Sequence, residues 1–144
     1  MSTNENAPYL EVTQAAGRRY FPRAGPGPVV MLNLLRFRAV ADYAKTPSLA
    51  PPQPISGAEA YERYVAHTRP FLEKAGGELL FLGRGGEFLI GPEHERWDLV
   101  LLVRHRSPAD FLSFASNPEY LCGAGHRLAA LEDSRLLPIT EEAR

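Results

Sequence analysis

The stretch Val29 to Phe37, VVMLNLLRF, follows Gly27 and Pro28 and is apolar on both of its alternating faces. One parity is Val30, Leu32 and Leu34; the other is Met31, Asn33, Leu35 and Phe37. Such a run predicts a β-strand, and a strand apolar on both sides predicts a sheet covered on both faces. The same two-sidedness recurs from Trp97 to His105, where Val100 and Leu102 oppose Leu99, Leu101 and Val103. It recurs again in Leu80 and Leu82 against Leu79 and Phe81.

Helical signals alternate with these strands. Ser56 with Glu59 three residues on makes a capping box, and Tyr61, Tyr64, Val65, Thr68, Phe71, Leu72 and Ala75 recur at helical spacing until Gly76 and Gly77. Pro70 inside that helix should kink it. Ser107 and Pro108 open a second helix, which Asn117 and Pro118 break in two, with Leu121, Ala124, Leu128 and Leu131 as the later stripe. Glu78 to Leu82 and Phe88 to Ile90 are expected to form one long strand, bent at its glycines, before a polar turn from Gly91 to Arg96. Ser134 to Ile139 reads as the last strand. The order is strand, helix, strand, strand, helix, strand. It predicts an α+β, ferredoxin-like βαββαβ fold, an antiparallel sheet with helices on one face. Residues 1–26 are an N-terminal arm, with a short helix expected within Tyr9 to Tyr20, and 27–144 are the domain. The Pro-rich loop from Thr46 to Pro54 is equally a lid or a flexible connector.

Two helices cover one face of the sheet. Leaving the other bare would expose several large side chains, each contributing roughly 1.5–3 kcal/mol on burial. A homodimer packed sheet on sheet is the expected cover, with the N-terminal arm as the competitor. Sixteen Lys and Arg against 17 Asp and Glu leave a net charge of -1, which argues against nucleic acid and anionic membrane as partners. The single Cys122 cannot form an internal disulfide, and no apolar run is long enough for a membrane span. A cytoplasmic location is expected.

The segments GPVVMLNLLRF, SGAEAYERY, FLEKAGGELLFLG, ERWDLVLLV and SPADFLSFASNPEYLCGAGHRLAALEDSRLLP, in that order, resemble a domain-of-unknown-function family within the dimeric α+β barrel superfamily. The resemblance covers about residues 27 to 139. It implies a ferredoxin-like subunit and a face-to-face dimer, and it supplies no assigned reaction. Superfamily relatives include cofactor-independent monooxygenases, isomerases, heme-processing enzymes and plain small-ligand binders, so membership alone selects none of them. Heme-degrading relatives would carry Trp and His where Phe114 and Ala124 stand here.

No two of His67, His94, His105 and His126 have the spacing of paired metal ligands on one helix turn, and no metal or cofactor is expected. His94 reads as solvated and His105 as exposed at a strand end. His67, just outside the apolar arc of its helix, is a candidate acid or base, with an ordinary boundary histidine as the alternative. Asn33 is the sharpest anomaly, an amide mid-strand on an apolar parity: either neighbouring backbone satisfies it, or it orients a ligand. Tyr61, Tyr64 and Trp97 are candidate pocket walls; Trp97 with Asp98 matches the Trp-Asp pair of the resembled family. Arg127 either binds a ligand carboxylate or ties the broken helix together. Cys122 has no cationic neighbour within three residues and is expected to pack. The expected function is binding of a small, largely apolar organic molecule, as a cofactor-independent enzyme or as a noncatalytic binder; an interaction module using the Pro-rich loop is the least favoured reading.

Overall fold

The computed structural model describes residues 7–144. After α1 (Gln14–Tyr20), the first strand β1 (Val29–Phe37) leads through the Pro-rich loop to α2 (Gly57–Lys74). The Ser56 side chain accepts from the Glu59 N–H at 3.1 Å, as the capping box requires. α2 runs unbroken through Pro70 and ends at Gly76, whose φ of 82° is open to glycine but unfavourable for a side chain. β2 (Glu78–Arg84) and β3 (Leu99–His105) follow, then three short helices, α3 (Pro108–Ala115), α4 (Pro118–Leu121) and α5 (Ala124–Ala130), and finally β4 (Leu131–Ile139). The strands lie in the order β2-β3-β1-β4, every neighbouring pair antiparallel. This is the ferredoxin-like arrangement, with the helices over one face.

Leu35, Ala60, Tyr61, Leu101, Ala129 and Leu131 form the centre of the core between sheet and helices. Leu35 and Leu101 fix which parity points inward. Val30, Leu32 and Leu34 of β1 therefore lie on the opposite face, beside Val100 and Leu102 of β3, Phe81 of β2 and Leu137 of β4. Phe81 and Leu137 are more than half exposed there.

Several expectations are corrected. Phe88–Ile90 is not strand: β2 stops at Arg84, and past it the hairpin is held by the Gly85 to Asp98 and Trp97 to Gly86 hydrogen bonds and the Glu87–Arg96 bridge, which end before Phe88. The opposing segment folds into a turn, Glu95 N–H donating to the Pro92 carbonyl, and so offers Phe88–Ile90 no extended partner. The irregularity in β2 lies earlier, at a register shift between Leu79 and Phe81 that leaves Leu80 as the extra residue. Trp97 and Asp98 precede β3 rather than open it; their N–H groups donate to the Gly86 and Leu35 carbonyls. β4 starts at Leu131, three residues early, because α5 passes straight into strand while Arg38 and Asp42 donate to the Ala130 and Ala129 carbonyls. His105 is buried and Cys122 is exposed, both opposite to expectation.

The arm folds back onto the domain. Tyr9 N–H donates to the Asp133 carboxylate at 2.8 Å, the Ser134 hydroxyl donates to the Tyr9 carbonyl, and the Arg127 guanidinium donates to the Leu10 carbonyl at 2.6 Å. Asp133 pairs with Arg36 on the open face, while Ser134 pairs with Leu35 on the helix face. Tyr9 thus crosses the outer edge of β4, and Leu10 onward lies on the helix side, where Leu10 joins the core and Phe21 stacks on Phe111 of α3. The helix within the arm starts only at Gln14, capped by Thr13. Farther along the same edge strand stands Pro138, opposite Met31.

The Pro-rich loop is held down on α5. Its 3-10 turn, Pro47–Leu49, packs so close that a side chain on Gly125 would meet Thr46 and Leu49 at 2.6–2.8 Å. Ala41 also donates to the Ile55 carbonyl, closing the loop at its base.

Candidate functional site

A continuous seam of rings runs between the helices and the sheet. From Phe37 at the end of β1 it passes to Tyr61 and Tyr64 of α2, Tyr120 of α4, Phe114 of α3 and His105 of β3, each ring 4.6–6.1 Å from the next. It continues through Phe111 to Phe21 of the arm. The 3- and 4-residue spacing of α2 aims Tyr61 and Tyr64 inward, and the Asn117-Pro118 restart turns Tyr120 to face them. The Asn117 side chain caps that restart by accepting from Glu119 N–H at 2.9 Å.

Inside this seam the Tyr64 and Tyr120 hydroxyls share a hydrogen bond of 2.8 Å. Burial pushes the Tyr61 phenol up to about 12, with Arg127 opposing the shift and Tyr120 adding to it. Tyr64 is raised further, by burial first and then by Tyr120, again against Arg127. Both are neutral hydroxyls at physiological pH, able to donate and accept but not to act as phenolate bases.

The candidate residues named from sequence divide around this cluster. Tyr61, Tyr64 and Arg127 come together. Arg127, however, spends its guanidinium on the Leu10 carbonyl and reaches the Ser134 hydroxyl at 3.5 Å, so it ties the arm to the domain rather than joining the pieces of the broken helix. His67 sits at the rim. Its Nε2 lies 2.9 Å from the Glu119 carbonyl and 3.2 Å from that of Tyr120. Carbonyls only accept, so Nε2 carries the proton and pins α2 to α4. Asn33 is half-buried on the helix-side parity; its amide donates to the Met31 carbonyl at 3.2 Å, and among the described residues its Oδ1 accepts nothing. Trp97 lies apart from the seam, buried beneath two guanidinium groups, Arg135 at 4.9 Å and Arg36 at 5.7 Å from its ring, with its Nε1 unpartnered among the described residues.

Two participants escaped the sequence reading. Tyr43, from the loop after β1, meets Nδ1 of His126 on α5 at 2.7 Å. Burial lowers the His126 pKa, and Arg63 and His67 lower it further. No periodicity announces Tyr43, which lies between proline-fenced segments. Tyr120 carried only the cap signal of its helix. A separate cavity of about 270 Å³ opens where the arm meets the start of β1, bordered by Arg19, Tyr20, Arg23, Val29, Pro108 and Thr140. Among the described residues, no three His, Cys, Asp or Glu side chains gather as a metal site would require.

No protein-family model matches the chain, and none of the curated proteins does. Among solved structures, the RPA0582 protein of Rhodopseudomonas palustris, described as a protein of unknown function, is 33% identical over 96% of this chain and 100% of its own, with a TM-score of 0.83. The chain belongs to the RPA0582 family. A methylated form of the RPA0582 protein superposes with a TM-score of 0.84 at 32% identity, covering 94% of this chain and 96% of that one. Beyond the RPA0582 family the fold alone is shared: a protein of unknown function from Jannaschia sp., described as dimeric and ferredoxin-like, is 12% identical over 80% of this chain and 100% of its own, with a TM-score of 0.51. No helix among the described residues is long and apolar enough to cross a membrane.

Proposed function

We propose that this protein is a homodimeric binder of a small, largely apolar organic molecule that carries one hydrogen-bonding group. The Tyr64–Tyr120 hydroxyl pair carries this reading. Two neutral phenols within an aromatic layer offer flat apolar walls and one adjustable polar contact, the combination that small-ligand sites use. A ligand replaces their mutual hydrogen bond, one hydroxyl turning to it.

The engaged imidazole nitrogens serve packing rather than acid chemistry. The His67 Nε2 proton is committed to two backbone carbonyls, and Nδ1 of His126 is taken by Tyr43. A general acid needs a proton free to move to a reacting atom. The dimer rests on the open sheet face, where Leu32, Leu34, Val100, Leu102, Phe81 and Leu137 form one apolar surface; Leu10 and Phe21 of the arm pack on the helix side, and Tyr9 meets the open face at Asp133 and Arg135. The dimeric description of the Jannaschia protein of the same fold agrees with it.

Native mass spectrometry of the purified protein tests both parts. The expected spectrum is a dimer that releases a small organic molecule on activation, with the molecule lost from Tyr64→Phe combined with Tyr120→Phe. A stable monomer at micromolar concentration would defeat the dimer, and a copurified molecule retained by the double variant would defeat the site.

A further inference from the structure

Resting on the proposed homodimer, we infer that the tip of the β2–β3 hairpin, Phe88 to Ile90, is a dimerisation finger buried by the second copy. Leu89 and Ile90 are 101% and 94% exposed, as open as side chains become, whereas the next most exposed large aliphatic among the described residues, Val40, is 60% exposed. The exposure is built in. The hairpin continues past β2 through the Gly85 to Asp98 hydrogen bond, the Trp97 to Gly86 hydrogen bond and the Glu87–Arg96 bridge. At the tip the Phe88 ring lies against Gly91, where a Cβ would come within 2.7 Å of it. The loop is thereby folded around Phe88, and the next two side chains are held outward.

Area argues for the second copy as the occupant. Four strands at about 4.8 Å spacing and seven paired residues at about 3.3 Å each make a flat face of about 19 by 23 Å, roughly 440 Å². A stable dimer buries about 800 Å² per partner. The finger prolongs β2 and β3 beyond that face, and β2 itself is exposed on both parities, with Leu79 and Leu82 uncovered on the helix side as well as Phe81 on the open side. A partner that wraps this hairpin as well as the sheet supplies the missing area. The flanking Glu87, Glu93, Glu95 and Arg96 form the polar rim that protein interfaces carry around an apolar centre.

The test is a dilution series followed by light scattering, on wild type, on Leu89→Asp combined with Ile90→Asp, and on Phe81→Asp at the sheet face. The finger variant is expected to fold, since both side chains contact solvent already, and to raise the dimer dissociation constant about 100-fold. An unchanged constant in the finger variant, with dimer lost in Phe81→Asp, overturns the finger and leaves the sheet-face dimer standing. A monomeric wild type overturns both. Hydrogen exchange on the wild type is an independent reading: amides 86–91 should gain protection as concentration rises through the dissociation constant, and concentration-independent exchange there counts against the finger. If the finger variant keeps its dimer but loses flotation with phosphatidylcholine vesicles, the tip serves a lipid surface and the inference fails.

Discussion

Gly123 lies directly beneath the imidazole of His67. A Cβ at position 123 would collide with the ring carbons and Nε2, so the residue between α4 and α5 is glycine because a histidine on α2 occupies its side-chain space. Gly123→Ala should cost about 1–3 kcal/mol by overpacking. In a His67→Ala background the same change should cost less than about 1 kcal/mol, because the obstacle has gone. Urea unfolding of the four proteins in this cycle measures the coupling; additive losses would show that the two residues do not constrain each other.

Gly125 plays the same part for the Pro-rich loop. Gly125→Ala should lift Thr46 and Leu49 off α5 while the sheet stays intact. Trypsin cleavage after Lys45 is the readout, and it should quicken several-fold in the variant with little change in far-UV circular dichroism.

His105 gives stability a pH dependence. It is 2% exposed, its Nδ1 has no partner among the described residues, and its rings are Phe111 and Phe114. Burial lowers its pKa below 6.5, partly offset by Asp110. The unfolded chain therefore binds the proton first as pH falls. This contribution is fully present above pH 6.5 and is lost as pH drops through the lower folded-state value; His126, also lowered, acts in the same direction. The melting temperature should fall between pH 7.5 and 5.5, and His105→Phe should fall less over the same interval. Parallel curves would remove His105 as the cause.

Asn33→Leu separates scaffold from site. The Asn33 amide donates to the Met31 carbonyl within β1. Losing that donor should lower stability by about 1–3 kcal/mol. If Oδ1 also holds the copurified molecule, the folded variant should bind it about 10-fold more weakly, the worth of one hydrogen bond. Normal binding by the destabilised variant would return Asn33 to the scaffold alone.

Much of the fold was legible because its signals are local. Ser56, Ser107 and Asn117 each place a hydrogen-bonding oxygen ahead of a helix, and β1 is too apolar and too short for anything but a buried strand. The passage from α5 to β4 was not legible, since Ala129, Ala130 and Leu131 contain no breaker and the change of conformation is set by β1 alongside. Phe88 to Ile90 looked like strand because apolar β-formers look alike whether the segment opposite stays extended or, as here, folds into a turn. The site was legible only on α2. Tyr61 and Tyr64 share a helical face, but their meeting with Tyr120, and the two carbonyls that hold His67, depend on how three short helices pack, which no spacing encodes.

The crossing of Tyr9 over β4 bears on how this protein avoids polymerising. A sheet with two free edges can add strands without end, and a sheet with one cannot. Here β4 is obstructed twice, by the arm at Asp133 and Ser134 and by Pro138, which has no N–H to offer. The β2 edge is left, and any contact made through it uses up the free edges of both molecules at once. Association of this kind closes at two. Shortening the arm past Tyr9 would take away one of the two stops, and the hazard would then be fibres rather than unfolding.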